Sequence, residues 1–229
     1  MIKTLLWDID GTLLDFSKSE EYGIRKCFEL FDLGECTDEM LARYSVINRK
    51  YWEMLERGEL TKPQVLYERF KEFFKTENIE FTQIDEFNME YQYCLGDKVF
   101  FCDNGFETVQ LLKGKVKQYA VTNGTYIAQK RKLSLSGLDK IFDGIFISDE
   151  IGFEKPSTKF FDAVQKEIGE FSHDEVMIIG DSLASDMRGG NNVNIMCCWY
   201  NSHGAVNKDN LKIDYEIKDI SEVIRILNI

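Results

Sequence analysis

The 229-residue sequence predicts an α/β protein, a Rossmann-like and mostly parallel sheet core with an inserted all-helical domain. Three observations carry that prediction. An apolar run at 5–7 opens the chain and reads as a buried strand. Residues 17–95 then keep helical periodicity without a strand pattern between them. From Gly96 onward, short apolar runs alternate with amphipathic helical stretches, as expected of a parallel sheet covered on both faces.

The helical stretch divides at its own punctuation. Tyr22, Ile24, Cys27, Phe28 and Phe31 recur at three- and four-residue steps and make the first helix. Thr37-Asp38-Glu39 has the chemistry of a helix start, and the helix it opens carries Tyr44, Ile47, Tyr51, Trp52 and Leu55 before Gly58 ends it. Pro63 falls in the first turn of a third helix, whose apolar face holds Val65, Phe70, Phe73 and Phe74. A fourth covers 87–95. A structureless connection of this size is not expected in a compact domain, so 17–95 is an inserted helical domain and 1–16 with 96–229 is the core.

In the core the order continues as helix 105–112, strand 118–121, helix 126–135, strand 145–147, helix 157–168, strand 176–179, short helix 183–191 and strand 195–199. An edge strand at 215–217 and a last helix at 220–227 close it.

Composition narrows the classes of function. Hydrophobic residues make up 44% of the chain, and only two prolines are present, so a full core is affordable and linkers are not expected. A net charge of −12 disfavours a nucleic-acid groove, which needs a basic face. It also disfavours adhesion to anionic membranes, and no apolar run approaches a membrane span. Six cysteines, none in a Cys-x-x-Cys pair, suit buried thiols in a reducing compartment. Cys197 and Cys198, adjacent on a strand, face opposite ways. The chain opens directly on its first strand, so no signal peptide is expected and a cytoplasmic location is.

Three predicted strands end in polar groups: Asp8 and Asp10, Thr122 and Asn123, and Asp181 with Asp186 close behind. In a parallel sheet these tips share one edge, where ligands bind. Four carboxylates gathered at one point repel one another unless a cation sits among them. Oxygen donors alone favour Mg²⁺ or Ca²⁺ over zinc. Lys155, before Pro156, falls at the same end and can neutralise a remaining anion. His173 and His203 stand at a helix start and in a turn, and read as structural.

Asp8-Ile9-Asp10-Gly11-Thr12-Leu13, Thr122-Asn123-Gly124, Lys155-Pro156 and Gly180-Asp181-Ser182-Leu183-Ala184-Ser185-Asp186 resemble, in order and spacing, the four motifs of the haloacid dehalogenase (HAD) superfamily. The insertion after the first motif resembles the helical cap of that superfamily's phosphatases. The resemblance implies an aspartyl-phosphate mechanism, with Asp8 as nucleophile and Asp10 as the acid and base of the two half-reactions. It implies Mg²⁺ held by a carboxylate oxygen of Asp8, the main-chain carbonyl of Asp10, and Asp181, with Asp186 completing the set. It implies Thr122 and the Asn123 N–H on phosphate oxygens, and Lys155 on both Asp8 and the phosphate. Asp10 disfavours a halide-displacing reaction, because halide needs no acid to leave.

The stretch Tyr51-Trp52-Glu53-Met54-Leu55-Glu56-Arg57-Gly58-Glu59-Leu60-Thr61 and the run from Trp199 to Ile217 resemble a pyrimidine 5′-nucleotidase subfamily. On that resemblance, Tyr44 and Trp52 would stack on a base, and Asn48 or Arg49 would bond its edge. The partner is then a small phosphorylated metabolite, a nucleotide first of all. A sugar phosphate or phosphoglycolate, a mutase reaction, and a non-catalytic binding module on the same fold stay open at this point.

Overall fold

The computed structural model describes residues 1–169 and 172–229. It divides into a core unit, Met1–Phe16 with Val99–Ile229, and a helical unit, Ser17–Lys98.

The core unit is a six-stranded sheet. Its strands are β1 (Thr4–Trp7), β2 (Lys117–Thr122), β3 (Gly144–Ile147), β4 (Val176–Gly180), β5 (Met196–Tyr200) and β6 (Tyr215–Ile217). They lie in the order β3-β2-β1-β4-β5-β6, and every pairing is parallel. β6 is an edge strand, as its weaker apolar pattern foretold. β1 sits between β2 and β4, with Trp7 opposite Ala120 on one side and Ile179 on the other. The first strand of the chain is therefore central, and its far end is flanked by the ends of two later strands.

Four helices make up the helical unit: α1 (Phe16–Leu30, its first residue in the core unit), α2 (Asp38–Glu56), α3 (Lys62–Thr76) and α4 (Ile84–Leu95). The core unit adds α5 (Gly105–Leu112), α6 (Tyr126–Ser136), α7 (Ser148–Ile151), α8 (Thr158–Ile168), α9 (Arg188–Asn192) and α10 (Glu222–Leu227). The short helix expected at 183–191 is a π turn, Leu183–Met187, running into α9.

Side-chain alternation along the strands sorts residues between two cores. Leu5, Trp7, Met177, Ile179 and Cys198 pack with Val109 and Leu112 of α5 and Val223 of α10. Leu6, Val176, Ile178 and Cys197 pack with Phe160, Phe161 and Val164 of α8. Cys197 and Cys198 thus do face opposite cores, and all six cysteines are free thiols. The buried indole N–H of Trp7 donates to Gln118 Oε1 at 3.1 Å, and Gln118 donates onward to the Val109 carbonyl at 3.0 Å. This chain removes the cost of about 1–3 kcal/mol for an unmet buried polar group.

Helix starts in the helical unit follow cap chemistry. Thr37 Oγ1 accepts from the Met40 N–H at 3.3 Å, with Asp38 and Glu39 in the first turn of α2. Pro63 lies in the first turn of α3, and Gln64 Oε1 accepts from the Thr61 N–H at 2.9 Å. The apolar faces meet in an aromatic core. Tyr44 stacks on Phe70 with centroids 5.3 Å apart and meets Phe73 edge-on at 5.1 Å. Phe87 packs edge-on against Phe70 and Phe74 at 5.0 Å. Among the described residues no helix is long and apolar enough to cross a membrane.

Because Tyr44 is fully enclosed by this cluster, Tyr44→Ala should destabilise the protein by about 3–5 kcal/mol in urea unfolding, whereas Tyr44→Phe, which keeps the ring, should shift stability by less than about 1 kcal/mol.

Candidate active site

β1 delivers Asp8 to the C-terminal edge of the sheet. The Asp8 N–H still bonds to the Ile179 carbonyl at 2.9 Å, so the residue is fixed by the β4 ladder. The chain then turns back, with the Leu13 and Leu14 N–H groups donating to the Ile9 carbonyl and the Gly11 N–H to the Leu14 carbonyl. Gly11 makes the turn at φ +91°, and a Cβ there would stand 2.6 Å from Asp181 Oδ2. Glycine is required twice over, by the backbone conformation and by the approach of the second carboxylate.

Asp8, Asp181 and Asp186 come together, with one carboxylate oxygen from each lying within 4.8 Å of the others. Asp8 and Asp186 are buried, and Asp181 faces solvent. Among the described residues, Lys155 is the cation paired with this group. The Lys155 ammonium, fully buried, donates to Asp8 Oδ1 at 2.7 Å, Asp186 Oδ1 at 2.6 Å and the Val121 carbonyl at 2.7 Å. Those three bonds use all its hydrogens. Lys155 is itself held by Asn123, whose side chain accepts from the Lys155 N–H and donates to the Lys155 carbonyl, both at 2.8 Å.

Thr12 Oγ1 lies 3.2 Å from both Asp8 Oδ2 and Asp181 Oδ1, and it accepts from the Asp181 N–H at 3.0 Å. Its one hydrogen serves either carboxylate in turn. The Trp199 indole donates to the Asp181 carbonyl at 2.9 Å, so β5 also steadies the group. Thr122, buried at the end of β2, accepts from the Gly124 N–H at 3.1 Å.

The electrostatics follow from three carboxylates facing one ammonium. Burial holds Asp8 well above the usual carboxylate range, with Lys155 opposing and Asp186 and Asp181 reinforcing. Desolvation of its carboxyl group, then repulsion from Asp186, pushes Asp181 up to about 7, even though the residue as a whole is exposed. Burial pulls Lys155 down, but Asp186 and Asp8 outweigh it and hold the ammonium above its ordinary value. The excess negative charge and the all-oxygen donor set fit a small hard divalent cation such as Mg²⁺.

Asp10 lies outside this group. Its carboxylate accepts from Gln129 Nε2 at 2.5 Å on Oδ2 and from Lys132 Nζ at 2.6 Å on Oδ1. The sequence alone gives these two residues of α6 no role, and Thr12 and Trp199 only a place within the motif and the run that carry the resemblances. One signal was present: Gln129 and Lys132 stand three apart, on the helix face that also buries Ala128 and Leu133.

Two expectations on the helical unit are corrected. Tyr44 cannot stack on a base, because its ring is fully buried, stacked on Phe70 and in edge contact with Phe73 and Tyr91. Asn48 is buried and committed: it donates to Glu20 Oε1 at 2.7 Å and accepts from Arg69 at 2.8 Å. Trp52 is half-buried and Arg49 exposed.

Comparison with known proteins identifies the family. The model of the haloacid dehalogenase-like hydrolases matches residues 2–194, and the chain belongs to that family of enzymes. It is 34% identical to the HAD-hydrolase YfnB of Bacillus subtilis over 99% of this chain and 96% of that one. The YfnB crystal structure, bound to magnesium, superposes with a TM-score of 0.93 over 100% of this chain and 99% of that one. The pyrimidine 5′-nucleotidases PynA of Streptococcus pneumoniae and YjjG of Escherichia coli are 29% and 25% identical, over 99% and 97% of this chain and 95% and 96% of theirs.

A pH prediction follows with a definite sign. Asp8 and Asp181 are raised in the folded chain, so between the ordinary carboxylate range and about pH 7 the folded state binds more protons than the unfolded state. Metal-free protein should therefore lose thermal stability as pH rises through that window. Mg²⁺ should raise the melting temperature more at pH 8 than at pH 5, and Asp181→Asn should flatten both dependences, as thermal unfolding would record.

Proposed function

We propose that this chain is a Mg²⁺-dependent phosphomonoester hydrolase working through an aspartyl-phosphate, with a nucleoside 5′-monophosphate, pyrimidine first, as substrate. One observation carries the reading. Asp8 stands among Lys155, Asp181 and Asp186 with both oxygens held, while Asp10, two residues on, presents a second carboxylate to a separate set of donors. A nucleophile and an acid–base group are thus kept chemically distinct.

In the first half-reaction an Asp8 oxygen attacks phosphorus, the ester P–O bond breaks, and Asp10 gives its proton to the leaving oxygen. In the second, water attacks the same phosphorus and gives a proton to Asp10, and the P–O bond to Asp8 breaks to free inorganic phosphate. When bound, Mg²⁺ would be held by Asp8, the Asp10 carbonyl and Asp181, with Asp186 completing the set, and would offset charge on the phosphoryl oxygens. Lys155 has each hydrogen committed to a protein acceptor, so it acts on the phosphate as a fixed charge. The Asn123 side chain is committed to Lys155, which leaves its main-chain N–H for a phosphate oxygen, beside the Thr122 hydroxyl. The helical unit selects the leaving group, with Trp52 and Arg49 as its candidate residues. The names of PynA and YjjG support the pyrimidine nucleotide as that group, and the cysteine usage supports a cytoplasmic setting.

Phosphate release should be measured across nucleoside monophosphates, sugar phosphates and phosphoglycolate, with Mg²⁺ or EDTA. Release should need Mg²⁺, favour pyrimidine monophosphates, and fall by at least about 10³-fold in Asp8→Asn. Preference for a sugar phosphate would keep the mechanism and discard the substrate.

A further inference from the structure

We propose that Gln129 and Lys132 of α6 are positioning residues that clamp Asp10 for the hydrolysis of the aspartyl-phosphate, with Gly124 as the gap through which the clamp passes. The inference rests on the reading of Asp10 as the acid and base.

Lys132 and Gln129 are 1% and 0% exposed. Burying an ammonium and an amide on a helix face that also holds Ala128 and Leu133 is costly unless each has a partner. Their shared partner is Asp10, one donor on each carboxylate oxygen. A single donor would let the carboxylate rotate about its side-chain bonds, whereas two donors on different oxygens fix it in one setting. Lys132 is held in turn by the Phe16 ring, whose centroid lies 5.1 Å from Nζ. Among the described residues the buried Gln129 Oε1 has no hydrogen-bond partner, so the contact of Nε2 with Asp10 is what orients the amide.

Gly124 makes the arrangement possible. A Cβ at that position would stand 2.2 Å from Gln129 Nε2 and 2.8 Å from its Cδ and Cγ. Any larger residue would displace the amide from Asp10. The last position of the Thr122-Asn123-Gly124 motif therefore serves Asp10 as well as the end of β2.

The direction of the bonds decides which half-reaction the clamp serves. Both are donated to Asp10, so they hold it as the carboxylate, the form that must stand oriented to take a proton from water in the second half-reaction. Loss of the clamp should therefore slow release of phosphate from Asp8 more than its loading.

Pre-steady-state and steady-state kinetics with p-nitrophenyl phosphate and Mg²⁺ test this, because the aryl leaving group needs no proton and loading is then insensitive to Asp10. Gln129→Leu and Lys132→Met should lower kcat by about 10- to 100-fold, leave kcat/KM within about threefold, and show a burst of nitrophenolate matching the enzyme concentration. Gly124→Ala should behave like Gln129→Leu, and Lys132→Arg should recover part of kcat. Should Lys132→Met fail to fold, Gln129→Leu and Lys132→Arg carry the test. Parallel falls of kcat and kcat/KM without a burst would mean a structural role only and would overturn the clamp. Asp10→Asn, run beside them, separates the failures. A burst with Asp10→Asn but not with the clamp variants sinks the clamp alone, and no effect of Asp10→Asn sinks the acid–base reading with it.

Discussion

Three carboxylates brought within 4.8 Å of one another cannot stay together on their own, and the rest of this site follows from how the repulsion is met. One part of the answer is built into the chain. Lys155, fully buried, bonds Asp8 and Asp186 at once and is tied to the end of β2 through the Val121 carbonyl. Removing one partner from a buried ion pair of this kind costs about 3–5 kcal/mol, because the charge left behind has lost its counterion. Raised affinity of Asp8 and Asp181 for protons meets part of the remainder, and the excess of negative charge on all-oxygen donors fits a hard cation.

Such a group needs exact delivery of residues far apart in sequence, and the sheet supplies it. Asp8, Thr122 and Asp181 lie at or just beyond the ends of β1, β2 and β4, which are neighbours in parallel register. Lys155 arrives on the stretch before α8, and Asn123 fixes it by grasping its main chain on both sides. Asp186 comes from the π turn after β4. The helix α6, which follows β2, carries Gln129 and Lys132 to Asp10. The stretches that follow β1, β2, β3 and β4 thus each bring a side chain to this edge.

Much of this was legible in the sequence because the signals are local. Apolar runs of three to five residues mark the strands, Thr37 and Thr61 mark helix starts by hydrogen bonds to near neighbours, and Pro63 marks one by its fixed backbone angle and missing N–H. Asp8, Lys155, Asp181 and Asp186 stood out because carboxylates and a lysine occur where strands end. What stayed hidden depends on packing. Tyr44 and Asn48 carry groups able to bind a base, and only the folded helices reveal that Phe70 and Phe73 enclose the one and that Glu20 and Arg69 occupy the other. Gln129 and Lys132 look like ordinary polar helix residues until the buried face of α6 is known. The helical unit runs to Lys98, three residues past the last residue of helical periodicity, and those three leave no mark in composition.

The central claim is that Asp8 carries the phosphoryl group, and trapping that bond tests it most directly. Protein quenched during turnover of a nucleoside monophosphate with Mg²⁺ would be reduced with borohydride, which converts an aspartyl-phosphate to homoserine, and its peptides mapped by mass. The account predicts homoserine at residue 8 and at no other aspartate. Phosphate release at full rate with Asp8 unmodified, or homoserine at Asp10 or Asp181, would contradict it.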